Sequence, residues 1–171
     1  MTHSAIDRPE GYVPAVGAFL GMMEDCRGRT LSLIDGLDPA RIDDPTPWHG
    51  NTAGALLYHV AAIELDWLYA EIMAKDFPEG TEEWFPHEVR EEDGRLTPVP
   101  GEPLERHLER LAWVRERMRE ELRSLTEEDL HAVRPTDGGR TVTPEWVFHH
   151  LMQHEAEHRG QLGEIMASWG T

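Results

Sequence analysis

Ten histidines in 171 residues are the side chains of this sequence best suited to chemistry, because imidazole is the commonest metal ligand and titrates near neutrality. His150, His154 and His158 follow one another at four-residue spacing, which stacks them along one helix face. Two imidazoles one turn apart can converge on a single cation, at nitrogen distances of about 2.0–2.1 Å for zinc. One such pair means little: random placement gives roughly 0.6 of them, but three in a row only roughly 0.03. At ~100° per residue, His154 and His158 fall within the arc of Val147, Leu162 and Ile165, while His150 drifts to its edge. His59 falls within the arc of Leu56, Ile63 and Trp67. Two helices therefore turn imidazole toward a core. Buried ring nitrogens need partners, and either ordinary hydrogen bonds or a shared cation can supply them. Spacing alone leaves both readings open.

His154-Glu155-Ala156-Glu157-His158 also matches H-E-x-x-H, the zinc-peptidase pattern with two ligands and a general-base Glu. The context argues against a peptidase. Little chain follows His158, and Gln161 and Glu164 stand where the extended motif has Gly and His. Glu155-Ala156-Glu157-His158 has the Glu-x-x-His spacing of di-iron bundles, but no second copy accompanies it.

The elements that would carry these residues are helical. The first runs from Pro14 to Ile34, interrupted by Gly17, Gly21 and Gly28. The second spans Thr52 to Ala74, with Leu56, Val60, Ile63 and Trp67 facing inward. The third spans Glu102 to Leu125, with Leu104, Leu108, Leu111, Met118, Leu122 and Leu125 as its stripe. Its Arg and Glu residues are expected on a solvated face. The fourth opens at Thr143 as N-cap and Pro144 as first helical residue and continues to Ser168. Leu37–Gly50 and Thr126–Val142 read as connectors, the latter turning at Asp137-Gly138-Gly139. The acidic stretch 76–101 is a long crossover or lid, tacked onto the helices by Trp84 and Phe85. No stretch alternates like a strand. The expectation is an all-α fold, a four-helix bundle forming one domain over 1–171, with its long connection between helices two and three.

A formal net charge of −17 argues against nucleic acid and against anionic membrane as partners. No apolar run reaches the ~18 residues of a membrane span, and the N-terminus lacks a signal pattern, which predicts a cytoplasmic protein. The single cysteine, Cys26, excludes an internal disulfide and reads as a core or boundary residue.

Leu56-Leu57-Tyr58-His59-Val60 with Glu64 and Trp67, and above all His150-Leu151-Met152-Gln153-His154-Glu155-Ala156-Glu157-His158-Arg159-Gly160-Gln161, resemble the DinB/YfiT-like family of helical metal-site proteins. The resemblance spans nearly the whole chain. It implies an up-up-down-down bundle, often a homodimer, with one divalent transition-metal ion (Zn, Ni or Fe) held by His59, His154 and His158, His150 not being among the ligands. Some relatives carry a carboxylate at one of these positions. Some use a low-molecular-weight thiol such as bacillithiol or mycothiol. It follows as an expectation that the protein is a thiol-dependent S-transferase acting on a small molecule. Metal-dependent hydrolysis and a non-catalytic role in stress response are the alternatives. Glu155 is a candidate proton shuttle, set against the plainer reading of a solvated helix Glu. Arg159 and Gln161 either line the site or stabilise the last helix. His107 is expected at a core boundary, and His3, His49, His87, His131 and His149 in solvent.

Overall fold

The computed structural model describes residues 5–46, 48, 50–136 and 139–169. Six helices order as α1 (Pro14–Ile34), α2 (Ala53–Trp67), α3 (Thr81–Trp84), α4 (Leu104–Glu121), α5 (Glu127–Leu130) and α6 (Pro144–Ser168). Between α5 and α6, β1 (Arg134–Pro135) pairs antiparallel with β2 (Thr141–Val142). Strands of this length are too short to alternate visibly in a sequence. The fold is all-α in character, and among the described residues no helix is long and apolar enough to cross a membrane. Of the expected turn at Asp137-Gly138-Gly139, only Gly139 lies within the described residues, at φ 76°.

Local chemistry accounts for each long helix. The Thr143 hydroxyl accepts from Trp146 N at 3.3 Å, and Pro144 fits the first turn, so α6 starts where the sequence says. The Thr52 hydroxyl accepts from Ala55 N at 3.1 Å and caps α2. The glycines of α1 exchange helix propensity for close packing. A Cβ on Gly21 would fall 1.9 Å from the Asp7 carbonyl oxygen, so the N-terminal arm lies directly across the helix.

α2 is the central element. It is buried nearly all round and packs against α4 and α6, while α1 packs against α6. It ends earlier than the expected Ala74. Leu68–Ile72 widens into a π turn, with Met73 N bonding to Leu68 O at 2.9 Å, and Ala74 then takes the left-handed region at φ 51°. The stripe of α4 is buried at Leu104, Leu111, Val114 and Met118, and continues through buried Leu122 and Leu125. Its charged face is not uniformly solvated as expected, because Arg110 and Arg115 are buried. The reason is that Glu64 on α2 pairs with Arg115, while Glu102 just before α4 and the Trp84 carbonyl receive Arg110.

The 76–101 crossover is fastened as its aromatics suggest. Trp84 stacks on Trp113 with centroids 5.5 Å apart, and Phe85 packs edgewise on Tyr58 at 5.5 Å. Arg110 donates to Trp84 O at 2.6 Å and grips Glu102 with bonds of 2.9 and 2.7 Å.

Candidate metal centre

His59 sits mid-helix on α2, and His154 and His158 sit one turn apart on α6. The packing of α2 on α6 brings the three together. The Nε2 atoms of His59 and His154 lie 3.1 Å apart, as do those of His154 and His158. One ligand atom from each ring falls within 4.8 Å of the others, so the group could hold a metal ion. His59 is fully buried and the two α6 rings are half-buried, which leaves the centre its opening on the α6 side.

The protonation pattern is constrained by one neighbour. The Gln161 amide oxygen lies 2.7 Å from His158 Nδ1, and an amide oxygen only accepts. The proton of neutral His158 is therefore on Nδ1, and its Nε2 presents a bare lone pair to the other rings. His154 Nε2 carries at most one proton to serve two nitrogens at 3.1 Å. His59 Nδ1 is buried without a hydrogen-bond partner. One proton on His154 Nε2 cannot bridge to both neighbouring rings, whereas a cation can face three Nε2 lone pairs at once. Burial pushes His59 and His154 down to about 3, reinforced by neighbouring imidazole and Arg90 charge. Burial lowers His158 as well. All three are neutral at pH 7, the form in which imidazole binds metal. The residues present fit a divalent ion with nitrogen ligands.

His150, the third member of the α6 spacing, is used differently. Its ring stacks on Trp146 with centroids 5.0 Å apart and meets the edge of Trp67 at 5.0 Å, which turns it away from the ligand set. Trp67 and Trp146, themselves 5.7 Å apart, form an aromatic wall reaching to His154 through His150.

Glu155 is neither solvated nor part of the three-histidine group. It is buried and accepts from Arg27 Nε at 2.8 Å. Arg27 also bonds Glu64 at 2.5 Å and Leu111 O at 3.1 Å. Arg115 binds Glu64 through bonds of 2.7 and 3.0 Å and approaches Glu155 to 3.7 Å. Two arginines and two buried glutamates from α1, α2, α4 and α6 thus form an ion network beside the histidines, joined at its edge by Glu24, 3.5 Å from Arg115 and 2.8 Å from Arg119. Burial raises the Glu64 carboxyl, but Arg115 and Arg27 outweigh it and bring the group down to about 2.

Other expected residues fall as follows. Gln161 orients His158, a role that the i+3 spacing permits but does not reveal. Arg159 donates to Cys26 O at 3.2 Å and so ties α6 to α1, with Cys26 buried as expected. His107 is not at the core boundary: it is fully buried, its Nδ1 accepts from Arg110 at 3.1 Å, and its Nε2 lies where a Cβ on Gly54 would come within 3.1 Å. His87, His131 and His149 are exposed, and His3 and His49 lie outside the described residues. The crossover is pinned beside His59: Tyr58 donates to His87 O at 2.7 Å and accepts from His87 N at 3.0 Å. Sequence reasoning missed this double bond, since a tyrosine in an apolar helix reads only as core. A cleft of about 390 Å³ lies between α2 and the crossover, bordered by Ala62, Asp66, Phe85, His87 and Val89. Ala62 and Asp66 follow His59 by three and seven positions and share its helix face.

Comparison with known proteins agrees with this arrangement at the level of fold and family. A structure described as the conserved protein of locus from Enterococcus faecalis superposes with a TM-score of 0.65 at 16% identity, covering 88% of this chain and 95% of that one. Similarity at that identity speaks to the fold alone. No curated protein matches the chain. The model of the DinB superfamily matches residues 22–162, which takes in all three histidines, and the chain belongs to that superfamily.

Proposed function

We propose that the protein is a metal-dependent enzyme acting on a small molecule, with one divalent transition-metal ion (zinc, nickel or iron) held by His59, His154 and His158. The observation that carries this reading is the convergence of three neutral imidazoles whose Nε2 atoms meet at 3.1 Å, closer than one shared proton can serve. Metal analysis of the purified protein tests it. The wild type is expected to hold about one ion per chain, and His59→Ala and His154→Ala much less. Equal metal content in all three would sink the site.

The reaction we favour is thiol-dependent S-transfer. Three protein ligands leave at least one position open. A bound divalent ion lowers the pKa of a thiol or water presented to it. The protein's own part is to hold the rings neutral, to exclude water around His59, and to wall the site with Trp67 and Trp146. Both nearby glutamates, Glu64 and Glu155, are committed to arginines. No carboxylate among the described residues joins the histidine group. A substrate thiol could lose its proton to solvent without a protein base, as could a bound water, so the preference for sulfur chemistry rests on the family resemblance. In the proposed step the thiolate sulfur attacks an electrophilic carbon, a sulfur–carbon bond forms, and the leaving group departs with its electron pair. A panel of low-molecular-weight thiols, bacillithiol and mycothiol included, with a chlorinated aromatic acceptor tests the step by chloride release. Chelator-sensitive ester hydrolysis without thiol turnover would replace this reading with a hydrolase. Silence in both assays would point to a non-catalytic stress-response protein.

For the architecture we favour an up-up-down-down four-helix bundle of α1, α2, α4 and α6 with 1–171 as one domain. The pairwise packing of these helices and the ion network that joins all four support it. We read the protein as cytoplasmic and homodimeric, without nucleic acid or membrane as partner. Light scattering on the purified protein tests the dimer.

A further inference from the structure

Phe77, Thr81 and Phe85 of the crossover border two openings at once. One is the cleft of about 390 Å³ against α2, which is the size of a small-molecule site. The other runs along α3. The core holds the walls of the cleft in place. Phe85 packs on Tyr58 at 5.5 Å and on Trp113 at 6.4 Å. Tyr58 in turn fixes the His87 backbone by two hydrogen bonds. Val89 packs on Tyr58, Ala62 and Val99. Phe77 leans on Tyr69 at 5.9 Å, yet 49% of it remains exposed. The cleft is therefore already shaped, with an open aromatic ring at its mouth.

Its charge has one sign. Asp66 and Glu88 border the cleft, and Glu79, Glu82 and Glu83 border the second opening. No lysine or arginine borders either, and His87 is the one imidazole. Among the described residues the side chains of Glu79, Glu82, Glu83 and Glu88 make no hydrogen bond and no ion pair. Elsewhere Asp25 is taken up by Arg29, Asp44 by Arg41 and Glu121 by Lys75. The guanidinium groups nearby are engaged in other ways. Arg106 lies over Trp84 at 4.0 Å and donates to Glu83 O at 2.8 Å. Arg110 comes within 5.7 Å of the Phe85 centroid, but it is fully buried and gripped by Glu102. An exposed aromatic ring beside unpaired carboxylates attracts a cation twice over, through the ring quadrupole and through charge.

We propose that this cleft binds a small organic cation, an amine with an aromatic or alkyl body. The ammonium group sits between the Phe77 ring and the carboxylates of Asp66 and Glu88, and the body rests on Ala62 and Phe85. None of these residues belongs to the histidine group, so the cleft takes its ligand whether or not a metal is bound there.

Amide NMR spectra of the full-length protein test this. The titrants are phenethylamine, the neutral phenethyl alcohol and the anion hydrocinnamate. Phenethylamine is expected to shift the amides of Ala62, Thr81, Glu88 and Val89, and to bind about tenfold more tightly than the alcohol. Hydrocinnamate binds more weakly than either. Added salt weakens the amine and leaves the alcohol unchanged. Glu88→Gln lowers amine affinity about threefold, and Phe77→Ala removes most of the amine's preference. Both side chains are exposed, and unchanged spectra away from the cleft confirm that the variants fold. Glu127→Gln removes an equal charge from α5 and leaves affinity as in wild type. Three results overturn the proposal: an amine that binds no better than the alcohol, shifts that fall outside the cleft, or a loss in Glu127→Gln as large as in Glu88→Gln. The last would mean that only the net charge of −17 attracts the amine.

Discussion

Glu64 stands five residues along α2 from His59, and Glu155 stands one residue along α6 from His154. The same two helices therefore build two buried polar clusters side by side. In one, two carboxylates meet two guanidinium groups, and each charge finds an opposite partner within 2.5–2.8 Å. In the other, three uncharged rings point the same atoms at one another and leave His59 Nδ1 without a partner. A buried polar group that the protein satisfies is a contribution to structure. Three lone pairs turned on one point, unlike paired opposite charges, suit a shared cation. Substitutions should separate the two clusters by what each disturbs.

The largest effect is expected from His154→Ala, which removes the ring that touches both others. Metal affinity should fall more than about hundredfold, beyond what loss of a supporting partner costs. Added metal should raise the wild-type melting temperature by linkage, worth about 2.7 kcal/mol at a hundredfold excess over Kd, and leave this variant unmoved. Calorimetric titration and thermal melts measure both. A full thermal response in the variant would erase the distinction.

Next, Glu64→Gln leaves Arg27 and Arg115 short of a buried counter-charge. Stability should drop by about 3–5 kcal/mol in urea unfolding, while metal bound per folded molecule stays near wild type. Loss of metal with unchanged stability would invert the assignment of the two clusters.

Acid should act on the network in the same sense. The Glu64 carboxyl is held at about 2, below its value of 4.5 in the unfolded chain. A lowered folded-state value contributes stability that is complete above the unfolded value and is lost as pH falls through the folded one. Metal-free protein should therefore weaken between about pH 4.5 and pH 2, and in Glu64→Gln that part of the acid sensitivity should disappear.

The smallest effect sharpens the comparison inside the centre. Gln161→Ala removes the acceptor that fixes the His158 tautomer. Metal affinity should fall about tenfold, at the low end for an outer partner, with stability nearly unchanged. An effect as large as that of His154→Ala would mean that Gln161 is itself a ligand.

How far the sequence could be read differs between these clusters for a physical reason. The histidine spacing on α6 is local, and so are the Thr143–Pro144 start and the apolar stripes, and these appear in the structure where the pattern puts them. The end of α2 was misjudged because a π turn keeps the apolar content of a helix while changing its period. The ion network was illegible because its bonds join residues 37, 51 and 128 positions apart. Any one of Arg27, Arg115 or Glu155 read alone is a surface charge. His107 was placed at the boundary for the same reason, since only Gly54 on another helix shows how deeply it sits.

The network also has a bearing on how the chain reaches this state. Its members arrive from the ribosome in the order Arg27, Glu64, Arg115, Glu155. Before α6 is in place, Arg27 and Arg115 share the buried carboxylate of Glu64, with Glu24 of α1 3.5 Å from Arg115, and the second buried carboxylate is still missing. Glu155 supplies it, bonding Arg27 across a sequence separation of 128 residues. Closing so long a loop is slow and must precede any reward from the contact. Docking of α6 is therefore expected late in folding, since it brings the second buried carboxylate to Arg27 and Arg115.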